Sequence, residues 1–278
     1  MVIIIDGKDI SAKIRGKAKE KIDELKEKGI VPGLGIVLVG SDASSKLYVE
    51  LKAKHVRNAG ALATIHHLDD DVSNVEVTDL INRLNNDDSV HGILIQLPLP
   101  SHLNENFIVS IISPEKDVDG LTPTSLGRIM IGSEAFHPAG AEAVMEILRR
   151  TKTPVRGKRI VIGGASKILG RPLASMLTNE GGIVTIISFP DESFINHSRE
   201  ADILIADFKA KWIKGNMVAM DSIIIDAGNY FERKVIGDVD FDDVKNRASI
   251  VTPVPGGLGP ILIAVLIKNL VKAATEHH

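Results

Sequence analysis

The chain has 278 residues, 44% hydrophobic and 25% charged, with a formal net charge of -3. That length accommodates two domains, and the slight negative balance provides no electrostatic footprint for nucleic acid or an anionic membrane. Cysteine is absent, which excludes a disulfide framework and thiolate chemistry and fits a reducing cytoplasm.

A β-branched run over 2–5 opens the chain and is too short for a signal peptide. Ile10, Ile14, Ala18, Ile22 and Leu25 recur at helical spacing, and Gly29 stops that helix. Pro32-Gly33 turns into a strand over 34–39. Ser44 or Ser45 then caps a helix running toward Asn58, with Gly60 just past its end. A β-type run follows at 61–67. Ser73-Asn74-Val75-Glu76 is a capping box that opens a helix to about Leu84. Another strand, 91–95, ends in Gln96-Leu97-Pro98-Leu99-Pro100. Strand, helix, strand, helix, strand predicts a parallel α/β layer.

Residues 114–124 read as irregular. Pro138 suits the first turn of a helix to Arg150 that bridges two domains. A second α/β unit begins with a strand over 158–163, a glycine-bounded loop from Gly164 to Gly170, a helix over 172–180 and a strand over 183–188. Further strands fit 203–206, 222–226 and 250–251. The apolar run 261–267 is broken by Lys268 and is too short to span a bilayer. It belongs to a last helix, 261 to about 273, that should be well buried.

Tyr48 and Lys52 lie four residues apart and so share one helix face, where a ring and an amine could hold an aromatic substrate and move a proton. The bland alternative is a solvated surface lysine. Gln96 sits at the carboxyl end of its strand, where open α/β sheets bind ligands, although a strand-end polar residue explains it equally. In Lys116-Asp117-Val118-Asp119-Gly120 the two carboxylates are either turn formers or acceptors for a ring amide and amine, as a pterin presents.

The Gly164-Ala165-Ser166-Lys167-Ile168-Leu169-Gly170 loop lies between strand and helix, where small residues let backbone N–H groups approach a pyrophosphate. It is not G-x-G-x-x-G, and a structural turn remains open. Pro253-Val254-Pro255-Gly256-Gly257-Leu258-Gly259-Pro260 is both stiff and able to approach a ligand closely, which a plain linker seldom needs. The nine histidines show no ligand spacing, and no metal is expected.

Together these stretches resemble the bifunctional methylenetetrahydrofolate dehydrogenase/cyclohydrolase family over nearly the whole chain. Tyr48-Val49-x-x-Lys52, Gln96-Leu97-Pro98-Leu99-Pro100, Lys116 to Gly120, Gly164-x-Ser166-x-x-x-Gly170-Arg171-Pro172, Gly237-Asp238-Val239 and Thr252 to Gly257 all match, in order. The resemblance implies that Lys52 is the catalytic lysine, that Tyr48 stacks on the folate, that Gln96 assists Lys52 and that Asp119 anchors the pterin. Leu97, Pro98, Pro255, Gly256 and Gly257 would border the folate. Gly164, Ala165, Ser166, Lys167, Ile168, Ser188 and Asn229 would contact NADP.

Several positions depart from the family pattern. Ala165 stands where an arginine is frequent, and Phe189 where a serine is. Asp207-Phe208-Lys209-Ala210-Lys211 replaces Ala-x-Gly-x-Pro, Ile261-Leu262 replaces Met-Thr, and Ala135-Phe136-His137-Pro138 replaces Pro-Cys-Thr-Pro. No acidic residue ends the strand 183–188 to hold a ribose 2′-hydroxyl, which favours NADP while leaving NAD possible.

The expected fold is α/β with two domains and a cleft between them. Residues 1–119 plus 261–278 would form the folate-binding catalytic domain, and 120–260 a Rossmann-like NADP-binding domain. The implied reaction oxidises 5,10-methylenetetrahydrofolate with NADP and hydrolyses the product to 10-formyltetrahydrofolate. It belongs to one-carbon metabolism and purine biosynthesis, in a cytoplasmic homodimer that binds tetrahydrofolate derivatives and neither nucleic acid nor membrane. Another NAD(P)-dependent dehydrogenase of the same architecture, such as an amino-acid or shikimate-type enzyme, or a non-enzymatic dinucleotide-binding module are the alternatives.

Overall fold

The computed structural model describes residues 2–208, 212–228, 230–231 and 235–277. In chain order the first elements are β1 (Ile3–Ile4), α1 (Gly7–Glu27), β2 (Gly33–Val39), α2 (Ala43–Asn58), β3 (Leu62–Leu68), α3 (Asn74–Asn85), β4 (Gly92–Ile95), α4 (Glu105–Ser110), α5 (Pro123–Met130) and α6 (Ala139–Arg150). Then follow β5 (Arg159–Gly163), α7 (Gly170–Asn179), β6 (Ile183–Ile187), α8 (Glu192–Ser198), β7 (Ile203–Ala206), β8 (Ile223–Asp226), β9 (Tyr230–Phe231), β10 (Val235–Ile236), α9 (Phe241–Val244), β11 (Ile250–Val251) and α10 (Leu258–Glu276). The chain divides into two compact units. One comprises Lys13–Arg128, Glu134–His137 and Ile263–His278; the other comprises Met1–Ala12, Ile129–Ser133 and Pro138–Leu262.

The first unit is built on a parallel sheet in the order β3-β2-β4. Leu34 pairs with Ala63 on one side and Gly92 on the other, so the three strands run in step and share one carboxyl end. All seven residues of β2 are buried, as expected for a central strand covered on both faces. Alternation then sorts them. Ile36 and Leu38 pack with Val49, Ala53 and Val56 of α2, Ala18, Ile22 and Leu25 of α1, and Leu266, Ile267 and Leu270 of α10. Val37 and Val39 pack with Val77, Leu80, Ile81 and Leu84 of α3 and Ile108 of α4. Each such aliphatic side chain contributes roughly 1.5–3 kcal/mol when fully buried.

Helix starts are specified locally. The capping box of α3 forms as expected: Glu76 N donates to Ser73 Oγ (3.3 Å) and Ser73 N to Glu76 Oε2 (3.0 Å). The cap of α2 is Asp42, upstream of the expected serines; its carboxylate accepts from Ser45 N at 2.7 Å. The α10 helix is longer than its apolar run suggested. Its 19 residues are long and apolar enough to cross a bilayer, but Ala264, Val265, Leu266, Ile267 and Leu270 are fully buried inside the protein.

The second unit carries a six-stranded parallel sheet in the order β1-β11-β8-β7-β5-β6. Its first strand comes from the start of the chain: Ile3 pairs with Ile250 and Ile4 with Val251. Residues 2–5, placed with the folate-binding region on sequence grounds, therefore complete the sheet of the other unit. The order β7-β5-β6 reverses direction at β5, leaving the loop after β5 at a topological switch point, where open α/β sheets bind ligands.

Candidate functional site

Because β2 and β4 run in step, the turn into α2 and the residue after β4 emerge at the same end of the sheet. Gln96 N donates to Val37 O at 2.9 Å, which fixes Gln96 at that end. Its side chain is oriented twice. Gln96 Nε2 donates to Leu97 O at 2.8 Å, and Gln96 Oε1 accepts from Lys52 Nζ at 3.1 Å. Tyr48, one turn earlier on α2, is half-buried, as is Lys52.

Burial pushes the Lys52 amine below its ordinary 10.5, because an ammonium there is poorly hydrated; the negative charge of Asp119 works against that fall. Burial likewise pushes the Asp119 carboxyl above its ordinary 3.8, opposed by the positive charge of Lys52 and reinforced by Asp117. A partly desolvated amine and carboxyl that sense one another, with a neutral amide holding the amine, form a set of groups poised for proton transfer.

The loop carrying Asp119 separates polar groups engaged in the fold from one that is not. Lys116 is buried and donates to Asp87 O at 2.8 Å and Leu84 O at 3.2 Å. Asp117 is buried and accepts from Ser125 Oγ (2.6 Å), Thr122 N (2.9 Å) and Leu121 N (3.1 Å), so it is the turn former. Val118 is wholly in the core. Asp119 accepts no hydrogen bond from any described residue, leaving its carboxylate available to a ligand. Asn269, a polar residue in the apolar α10, donates to Val118 O at 2.9 Å and to His137 O at 3.2 Å. Sequence reading passed over Asn269; an amide inside an otherwise apolar helix was its signal. Leu97 is half-buried, Pro98 is exposed and their peptide bond is cis.

The remaining expected site residues belong to the other unit. In the Pro255-Gly256-Gly257 loop, Gly256 has φ +106°, and its carbonyl accepts from Gly7 N at 3.0 Å. Gly257 N donates to Pro253 O at 2.8 Å. The phosphate-loop candidate follows β5. Gly164 has φ +107°, and a Cβ there would lie 2.3 Å from Asp207 O, so only glycine fits. The backbone N–H groups of Ala165, Ser166 and Ile168 meet no acceptor among the described residues, as a cradle for an anion requires. Lys167 and Ile168 are exposed beside them, and Ser188 is exposed just past β6. The loop therefore fits a dinucleotide phosphate. Asn229 lies outside the described residues. No group of three or more metal-binding side chains occurs among the described residues.

The Ser166 hydroxyl is engaged within the protein. It donates to Asp207 Oδ2 at 2.8 Å and accepts from Leu169 N (3.2 Å) and Gly170 N (3.3 Å) at the start of α7. In the same sheet, Asp226 ends β8, paired with Ala206 of β7. Its carboxylate accepts from Gly228 N and Asp238 N at 2.9 Å and from Val239 N at 3.0 Å. Burial pushes Asp226 up to about 7 against those three donors.

Residues 5–119 match the family model for the tetrahydrofolate dehydrogenase/cyclohydrolase catalytic domain, and residues 138–278 match the model for its NAD(P)-binding domain. The bifunctional protein FolD of Campylobacter jejuni is 43% identical over 275 residues, covering 98% of each chain. A crystal structure of the Campylobacter jejuni enzyme superposes with a TM-score of 0.98 at 40% identity, covering 100% of both chains. The Trypanosoma brucei methylenetetrahydrofolate dehydrogenase-cyclohydrolase, solved with NADP and an inhibitor, has a TM-score of 0.95 at 31% identity, over 99% of this chain and 98% of that one. The chain, with its α/β catalytic and NAD(P)-binding domains, belongs to the bifunctional tetrahydrofolate dehydrogenase/cyclohydrolase family.

Proposed function

We propose that this protein oxidises 5,10-methylenetetrahydrofolate to the 5,10-methenyl cation and hydrolyses that cation to 10-formyltetrahydrofolate. The observation that carries the reading is the Lys52 Nζ to Gln96 Oε1 hydrogen bond of 3.1 Å, beside a carboxylate that no described residue satisfies. Asp119 accepts the amide and amine of the pterin, and the Tyr48 ring stacks on it. Together they align the one-carbon bridge with the cofactor, which is most of what hydride transfer needs. NADP supplies the hydride acceptor when bound.

Hydrolysis needs a group that takes a proton and returns it. Lys52, lowered by burial, accepts a proton from the water that adds to the methenyl carbon. It then delivers a proton to the ring nitrogen as the carbon–nitrogen bond opens. Gln96 keeps the amine in place without adding charge. Leu97 and Pro98, with Pro255, Gly256 and Gly257, line the folate, while Gly164, Ala165, Ser166, Lys167, Ile168, Ser188 and Asn229 hold the dinucleotide.

The assembly we infer is a homodimer. Ile183 and Ile186 are exposed on β6, the open edge of the six-stranded sheet, and Phe189 follows them at 75% exposure. A cytoplasmic setting and a supply of formyl groups to purine biosynthesis accord with the reaction. The test is an absorbance assay with methylenetetrahydrofolate and either NADP or NAD, following reduced cofactor and methenyl product. We expect both activities, and a preference for NADP that shrinks with salt, since no described arginine clamps a 2′-phosphate at Ala165. Cofactor reduction without hydrolysis, or a clear preference for NAD, contradicts the reading.

A further inference from the structure

We propose that Asn269, on α10, is a positioning residue of the folate site: its amide holds the peptide that leads into Asp119 and so sets where that carboxylate stands. The inference rests on the reading of Asp119 as the pterin acceptor and adds the group that places it.

Asn269 is a buried amide among aliphatic neighbours: it is 6% exposed, and Leu266, Ile267 and Leu270 around it are fully buried. Asparagine is a poor helix former, and burying its amide is costly unless its N–H groups find acceptors. Here they do. Asn269 Nδ2 donates to Val118 O at 2.9 Å and to His137 O at 3.2 Å. An amide nitrogen carries two hydrogens in one plane, so this single side chain spans both carbonyls.

Val118 O belongs to the peptide that joins Val118 to Asp119, and Val118 is fixed on its other sides too. Its side chain fills the space that Gly92 leaves on β4: a Cβ at Gly92 would lie 2.6 Å from Val118 Cγ1 and 3.0 Å from Leu270 Cδ1. Val118 N donates to Lys116 O at 2.9 Å. On the far side of Asp119, Gly120 N donates to Asp117 O at 3.0 Å. Asp119 is therefore held by its tethered neighbours and not by its own carboxylate. Without the Asn269 amide, a buried carbonyl loses its donor and the peptide turns toward another, carrying Asp119 with it. The same helix fastens the 134–137 segment by a separate route. Lys272 Nζ donates to Glu134 Oε1 at 2.6 Å and lies 5.4 Å from the centre of the Phe136 ring. Lys272 thus offers a control for the part of Asn269 that serves that segment.

Steady-state kinetics of the full chain with methylenetetrahydrofolate tests this, with calorimetry of NADP as the check on the fold. Asn269→Leu keeps the bulk without the amide, and Asn269→Ser keeps a hydroxyl whose one hydrogen cannot serve two carbonyls. Both should lower kcat/KM for the folate about 10- to 100-fold, as for a misplaced contact. Most of the loss should lie in KM, because Asp119 holds the folate before and during the reaction alike. NADP affinity should be unchanged, and Lys272→Met should keep the wild-type kcat/KM. In an Asp119→Ala background, Asn269→Leu should cost less than about twofold more, since its effect passes through the missing carboxylate. Wild-type kcat/KM in either folded Asn269 variant overturns the proposal. So does a full further loss in the Asp119→Ala background, or a matching loss in Lys272→Met. Loss of NADP binding or of cooperative melting in both Asn269 variants makes the residue a part of the fold alone and overturns it as well. Wild-type kcat/KM in Asp119→Ala by itself contradicts the reading of Asp119, and the proposal falls with it.

Discussion

Lys52 and Ser166 each stand near the carboxyl end of a parallel sheet, one in each unit, and their polar atoms meet opposite situations. Around Lys52 the protein supplies one amide oxygen at 3.1 Å, and the nearby Asp119 has no donor among the described residues. At Ser166 the hydroxyl is fully engaged within the protein: it serves a carboxylate and two backbone N–H groups. Asp226, in that same unit, accepts three backbone N–H groups. The difference separates chemistry from shape. Groups left partly desolvated and underused have perturbed proton affinities and can act on a ligand. Groups that satisfy one another hold the backbone that a ligand rests on.

The largest effect expected from breaking this contrast is at Asp119. Two charge-assisted bonds to a pterin, each worth roughly 1.5–3 kcal/mol, correspond to about 10²–10⁴ in affinity. Asp119→Ala should lose that much folate binding by calorimetry while dinucleotide binding is unchanged. Because burial raises the Asp119 carboxyl, wild-type folate affinity should be full at high pH and fall as pH drops through that raised value. Equal loss of both ligands would mean misfolding in place of a lost contact.

Asp226 gives a second contrast, in stability. Its folded value of about 7 exceeds the ordinary 3.8, so between those values the folded protein keeps a proton that the unfolded chain has released. Stability therefore falls as pH rises across that window and levels off above it. Asp226→Asn should melt at a lower temperature throughout, because one of three N–H groups loses its acceptor, but without that slope. Parallel melting curves for the two proteins from pH 4 to pH 8 would refute the assignment.

The smallest effect is at Ser166. Ser166→Ala leaves Leu169 N and Gly170 N without their acceptor, a cap loss of about 1 kcal/mol. The melting temperature should drop by about 2–4 °C. No change would mean that water replaces the hydroxyl fully and that the loop does not depend on it.

These contrasts also mark how much could be read from the chain. The β2 strand and the α3 capping box were legible because their signals are local: an unbroken apolar run and a Ser-x-x-Glu spacing. So was the shared face of Tyr48 and Lys52. The cap of α2 was misplaced by a few residues because Asp42 competes with Ser44 and Ser45, and only the turn geometry decides among them. The pairing of residues 3–4 with 250–251 joins the two ends of the chain and has no local signature. Asp117 and Asp119 look alike in sequence. Only the folded loop shows that Asp117 faces Ser125 and Thr122 while Asp119 does not. Asp207 was visible as a departure from the family pattern, but its bond to Ser166 joins residues 41 apart.

The central claim is that Lys52, held by Gln96 and lowered by burial, carries the proton in hydrolysis. The most direct test is the rate of methenyltetrahydrofolate hydrolysis in Lys52→Met, which keeps the stem and removes the amine. The account predicts a fall of about 100-fold or more, as for a lost general acid–base group. It also predicts a melting temperature no lower than wild type, since a poorly hydrated ammonium is removed. Hydrolysis at the wild-type rate in this variant would contradict it.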